Sequence, residues 1–154
     1  MASASNAPES TAAKLAAIVR PILAMRAVRW FAYLGLCAAY IQGPVIKILD
    51  FDSALAEMNQ FGLSPAATFA VVVIVFELVA SAMILFGGWR WLAALALAGF
   101  TLMATFVALR FWEMPAGQGW MMAMNSFFEH LGLIGGFILV AIDDLTRSKD
   151  TAYE

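Results

Sequence analysis

Long apolar runs, rather than alternating apolar and polar positions, dominate the chain. Four of them cover approximately residues 28–49, 65–86, 89–112 and 120–142, each close to the roughly 20 residues that a helix needs to cross a bilayer. Breaks between them are well marked. Ser64-Pro65 offers an N-cap serine and a proline at the first helical position, Gly87-Gly88 forces a tight turn, and residues 115–119 (PAGQG) read as a loop. Between the first two runs, Phe51, Leu55, Met58 and Phe61 recur at helical spacing, with Asp52 or Ser53 to cap the start and Gly62 to end it. This pattern predicts a surface-lying amphipathic helix that could also serve as a lid. Residues 14–27 mix Leu15, Ile18 and Ile22 with Lys14, Arg20 and Arg26, a short basic interfacial segment expected to break at Pro21. Residues 1–13 read as a disordered tail and 143–154 as a second, cytoplasmic tail. The expected architecture is all-α: an integral membrane four-helix bundle with an interfacial helix between spans one and two.

Composition agrees. Of 154 residues, 63% are hydrophobic and 13% charged, against about 45–50% and a quarter in soluble domains. Mean hydropathy is +0.83. The net charge of −2 supplies no basic patch, so nucleic acid is excluded as a partner and the bilayer is the expected one. With a single cysteine, Cys37, and a single histidine, His130, one copy of the chain cannot build a disulfide, a CxxC pair, a cysteine-ligated cluster or a bis-histidine haem. No ligand-spaced metal cluster is evident, so no intrinsic cofactor is expected. The nine methionines and twelve phenylalanines read as packing and lipid-facing residues.

Charge distribution orients the chain. Lys14, Arg20, Arg26, Arg29, Arg90, Arg147 and Lys149 fall on one side, while Lys47 and Arg110 fall on the other with Asp50, Asp52, Glu57 and Glu113. The positive-inside rule then places both termini in the cytoplasm. Trp89, Trp91, Trp112 and Trp120 lie at span ends, as an aromatic belt requires.

Ionisable groups inside the spans need an explanation. Glu77 sits mid-span in VVVIVFELVASAMILF, where a carboxylate costs about 2.5–3.5 kcal/mol even on the lenient insertion scale. Glu129 and His130 lie in the fourth span. At the helical rise, Glu129 is roughly 13 Å and Glu77 roughly 18 Å from the outer ends, so the two are expected to share a layer that Lys47 and Arg110 can reach. Small residues mark the contact faces: Gly35, Ala39, Gly43 and Lys47 form an i+4 stripe, and Glu129, Gly132 and Gly136 share another. One polar pocket, with Glu77, Glu129 and His130 as acid–base groups and Lys47, Arg110 and Trp112 around a ligand, is the economical arrangement. The alternative is an ion pair between Glu77 and Lys47 or Arg110 that fixes helix register.

Several pieces of this sequence resemble the DoxX family of small four-span bacterial membrane proteins: GPVIKILDF, FELVASAMILFGGWRW, TLMATFVALRFWEM and FFEHLGLIGGFILV, which together span residues 28–142. The resemblance implies that Lys47, Glu77, Phe111-Trp112 and Gly135-Gly136 are characteristic positions. Glu129-His130 departs from the Lys-Asn of many members. The resemblance also implies a place in the bacterial cytoplasmic membrane and a link to quinone-associated oxidoreduction, with a quinone as candidate ligand and redox centres on partner subunits. A structural or assembly subunit, docking through small-residue faces, is the competing expectation; the same faces allow a homo-oligomer.

Overall fold

The computed structural model describes residues 11–150. Six α-helices follow in order: α1 (Thr11–Ala24), α2 (Arg26–Leu49), α3 (Phe51–Gln60), α4 (Ala66–Phe86), α5 (Arg90–Ala108) and α6 (Gln118–Asp150), with a 3₁₀ turn at Phe111–Glu113. Among the described residues there is no strand. The chain divides into two compact units, Met1–Gly35 and Leu36–Glu154, with the boundary inside α2.

In the first unit, every residue of α1 is exposed. Contrary to expectation, the helix does not break at Pro21. Pro21 removes only its own N–H, and on an exposed helix the freed carbonyl can face solvent; the break comes instead at Met25. Helix begins at Thr11, inside the tail expected over residues 1–13, whose first ten residues lie outside the described part.

The second unit holds the rest of α2 and the helices α3 to α6. The helices long and apolar enough to span a membrane are Arg26–Leu49, Ala66–Phe86, Arg90–Glu113 and Gln118–Ser148, and at most 33% of each apolar window is buried inside the protein. Such a surface belongs in lipid. α5 packs against α4 and α6, while α3 lies on α4. Alanine makes the α5 core thin: Ala93, Ala94, Leu97, Ala98, Thr101 and Thr105 form its buried face, which lets neighbouring backbones approach.

Turns follow the sequence signals with local differences. Asp50, rather than Asp52 or Ser53, caps α3, its side chain accepting from the Ser53 N–H at 3.1 Å. Gly62, at φ 71, ends α3 while Leu63 N–H donates back to Met58 O at 2.9 Å. Pro65 itself occupies the N-cap position of α4, so Ser64 does not cap it. Between α4 and α5, Gly87, Gly88 and Trp89 all take left-handed conformations. Arg90 and Asp144 close this turn from both sides. Arg90 Nε donates to Ile84 O at 2.7 Å, and Asp144 accepts from Trp91 N–H at 3.1 Å and from Arg90 at 3.3 Å. One side chain thus serves the end of α4 and the other the start of α5.

α5 ends at Ala108, short of the expected Trp112. There Phe111 and Trp112 turn into a ring cluster with Phe106 and Phe127, at centroid distances of 5.5–6.3 Å. α6 runs on through the expected boundary at residue 142. Its extension is held by an Arg147–Asp143 ion pair at 2.9 Å and by Thr146 and Ser148 hydroxyls donating to carbonyls one turn back.

Candidate functional site

Two helix faces define the site. On α2, Cys37, Tyr40, Pro44 and Lys47 lie at i, i+3, i+7 and i+10; the first three are buried and the Lys47 side chain is 19% exposed. On α4, Ala70, Ile74, Ser81 and Ile84 are buried, and Glu77 falls on the same stripe, partly buried. Lys47 Nζ lies 2.9 Å from Glu57 Oε2 of α3. Glu77 stands close enough to both for their charges to act on it, and Tyr40 in turn feels Glu77. Lys47 is thus ion-paired with Glu57 and lies within the electrostatic range of Glu77. The three groups sum to −1 when all are ionised and to zero when one carboxylate holds a proton.

A second polar system crosses the bundle beside it. Thr101 Oγ1 donates its only proton to Leu97 O at 2.6 Å, so the Tyr40 hydroxyl is the donor in the Tyr40–Thr101 bond. One turn on, Thr105 Oγ1 donates to Thr101 O at 2.6 Å and lies 2.8 Å from His130 Nδ1. With that hydroxyl proton already committed, Nδ1 carries the hydrogen and donates to Thr105. The pattern ties α2 and α6 to α5, yet each hydroxyl ends on a helix carbonyl, so no continuous hydroxyl chain runs from His130 to Tyr40. Tyr40 also meets Phe137 edge-on at 5.3 Å. Ser81 Oγ, beside the Cys37 thiol, is the one buried side-chain oxygen or nitrogen without a hydrogen-bond partner among the described residues.

These positions correct much of the expected pocket. Lys47 pairs with Glu57, a residue that the sequence pattern places only on the surface helix, and Glu77 lies within electrostatic range of Lys47 with no ion pair between them among the described residues. Glu129 and Gly132 are exposed. The inward face of α6 is centred on His130, Phe137 and Ala141, which puts Glu129 about 100° to one side. Glu77, Glu129 and His130 therefore do not converge, and His130 faces α5 rather than a shared cavity. Arg110 pairs with Glu113 at 3.3 Å, both side chains 54% exposed, and does not reach down. Trp112 belongs to the ring cluster described above. Of the glycines expected to pack, only Gly136 approaches a neighbour: an added Cβ would lie 3.0 Å from Leu36 Cδ1, whereas at Gly35, Gly43 and Gly132 it would meet nothing within 4 Å among the described residues.

The cavity also lies elsewhere. A groove of about 620 Å³ between α4 and α5 is lined by apolar side chains, among them Val72, Val75, Phe76, Val79, Met83 and Leu92. It opens on the far side of α4 from Glu77.

Residues 28–110 match the DoxX family. The chain belongs to the DoxX family. That match covers more than half of the sequence and includes α3, α4, α5, Lys47, Glu57 and Glu77, and it stops short of α6. No curated protein and no solved structure matches the chain. This DoxX protein is therefore a multi-pass membrane protein whose Lys47–Glu57–Glu77 cluster lies within the matched region, while His130 and Glu129 lie outside it.

Proposed function

We propose that this DoxX protein is a membrane subunit of a quinone-linked oxidoreductase complex, and that the Lys47–Glu57–Glu77 cluster handles a proton for the quinone. The observation that carries the reading is the excess carboxylate: Glu77 sits partly buried in a span, while the nearby ammonium is already paired. A charged group kept at that depth favours a functional origin. Reduction of a quinone to a quinol consumes two electrons and two protons. The electrons come from a redox-active partner subunit; Glu77 supplies the first proton, is reprotonated from the aqueous side that Glu57 faces, and then supplies the second.

The donor set fits a quinone head group in part. Lys47 has two ammonium protons beyond the one directed at Glu57, and a protonated Glu77 adds one donor for a carbonyl oxygen. Tyr40 is committed to Thr101 and contributes shape rather than a proton. The apolar groove, on the other face of α4, does not serve the same head group.

A second reading, a structural or assembly subunit, is favoured by the Lys47–Glu57 ion pair itself, which works as a clamp between α2 and α3. Purification from native membranes in mild detergent separates the two. A redox partner at constant stoichiometry, with quinone-reducing activity in the complex, supports the first; a stoichiometric partner without redox chemistry supports the second.

A further inference from the structure

The basic helix α1 has a chemistry of its own. All fourteen residues of α1 are exposed, with none buried. Leu15, Ile18, Val19 and Ile22 recur at i, i+3, i+4 and i+7 as one aliphatic stripe, 44–64% exposed. Lys14 flanks one edge of that stripe and Arg20 lies on the opposite, polar face, with Arg26 just beyond the break at Met25. Between Thr11 and Gly35 the chain carries Lys14, Arg20, Arg26 and Arg29 and no acidic residue at all. Arg29 is engaged with Tyr33, bonding its hydroxyl at 3.1 Å. Lys14, Arg20 and Arg26 make no ion pair among the described residues.

As described, α1 is too short to be a fifth span: fourteen residues rise roughly 21 Å, short of the roughly 30 Å hydrocarbon core. One non-helical residue, Met25, joins α1 to the spanning helix α2, so the near end of α1 is held close to the membrane surface. A tethered aliphatic stripe backed by basic side chains matches one partner: a bilayer surface that offers acyl chains to the stripe and anionic head groups to the cations. We infer that α1 is an in-plane anchor that binds anionic lipid, with Lys14, Arg20 and Arg26 as its head-group contacts. The flexible cationic side chains reach the head-group layer while the stripe sinks below them. Pro21 lies on the polar side and leaves the stripe unbroken.

Full-length protein carrying Ile18→Cys tests this. Cys37 is fully buried, so brief treatment with a polar nitroxide reagent labels position 18 alone. The labelled protein is placed in nanodiscs of phosphatidylcholine, or of phosphatidylcholine with about a third phosphatidylglycerol. Power saturation with oxygen and with a neutral nickel chelate then reports burial. The ratio of oxygen to nickel accessibility is expected to be severalfold higher in the anionic discs, and to fall to the zwitterionic value in the Lys14→Gln/Arg20→Gln/Arg26→Gln variant or at high salt. Equal burial in both lipids would overturn anionic recognition. So would protection seen only in native membranes, which would assign the helix to an acidic protein.

Discussion

Lys47 and Glu57, ten residues apart on consecutive helices, meet at 2.9 Å and fasten the surface helix α3 to the first membrane span. α3 is thus a latched element, packed on α4 through Ala54 and Met58 against Ala70. Its latch is an ion pair whose lysine also lies within the field of Glu77.

Breaking that latch should loosen α3 without unfolding the bundle. Lys47→Met and Glu57→Gln are each expected to raise amide exchange over residues 51–60. Their coupling in a double-mutant cycle should be about 0.5–1 kcal/mol, small because the Glu57 side chain is 40% exposed. Hydrogen exchange by mass spectrometry in detergent checks both expectations.

The Tyr40–Thr101 bond is asymmetric, and the variants should reveal it. Thr101→Val leaves a buried tyrosine hydroxyl without its acceptor and is expected to cost about 1–2 kcal/mol. Adding Tyr40→Phe removes the orphaned hydroxyl, so the double variant should be more stable than Thr101→Val alone. Thermal melting in one detergent reads the order directly.

Adjacent residues on α6 should behave oppositely. His130→Ala removes the donor to Thr105 and should lower the melting temperature, whereas Glu129→Gln, on the exposed side, should leave it unchanged. A comparable loss from Glu129→Gln would show that its carboxylate has a partner in the membrane.

The glycines divide in the same way. Gly132→Ala should stabilise α6 by about 0.5–1 kcal/mol, since the new methyl meets open space and helix propensity rises. Gly136→Val should destabilise, because even a Cβ there lies 3.0 Å from Leu36 Cδ1, and Leu36→Ala should rescue it. Melting curves of the three variants and the rescue pair check this.

The spans are legible in the sequence because lipid demands long apolar runs, and residues 28–49 and 65–86 match α2 and α4 to within two residues. The layer containing Glu77 is legible for the same reason: an ionised side chain stands out in a run of valines. Its true partners are less visible. Depth along a helix follows from residue number, but azimuth depends on which neighbours pack, and an error of one residue turns a side chain by about 100°. Glu129 is misplaced by sequence reasoning in this way. Glu57 escapes it because nothing in the sequence says where a surface helix folds back. Thr101 and Thr105, one turn apart in an apolar span, are a signal that could have located the hydroxyl ladder.

Delivery of a proton from Glu77 to a quinone is tested most directly by replacing the residue with glutamine in the native host. In Glu77→Gln membranes, quinone-dependent turnover of the purified complex should fall about a hundredfold, the scale of a lost general acid, while the chain's abundance and its partner stoichiometry stay unchanged. Undiminished turnover in the Glu77→Gln variant, or loss of the assembled complex, would contradict it.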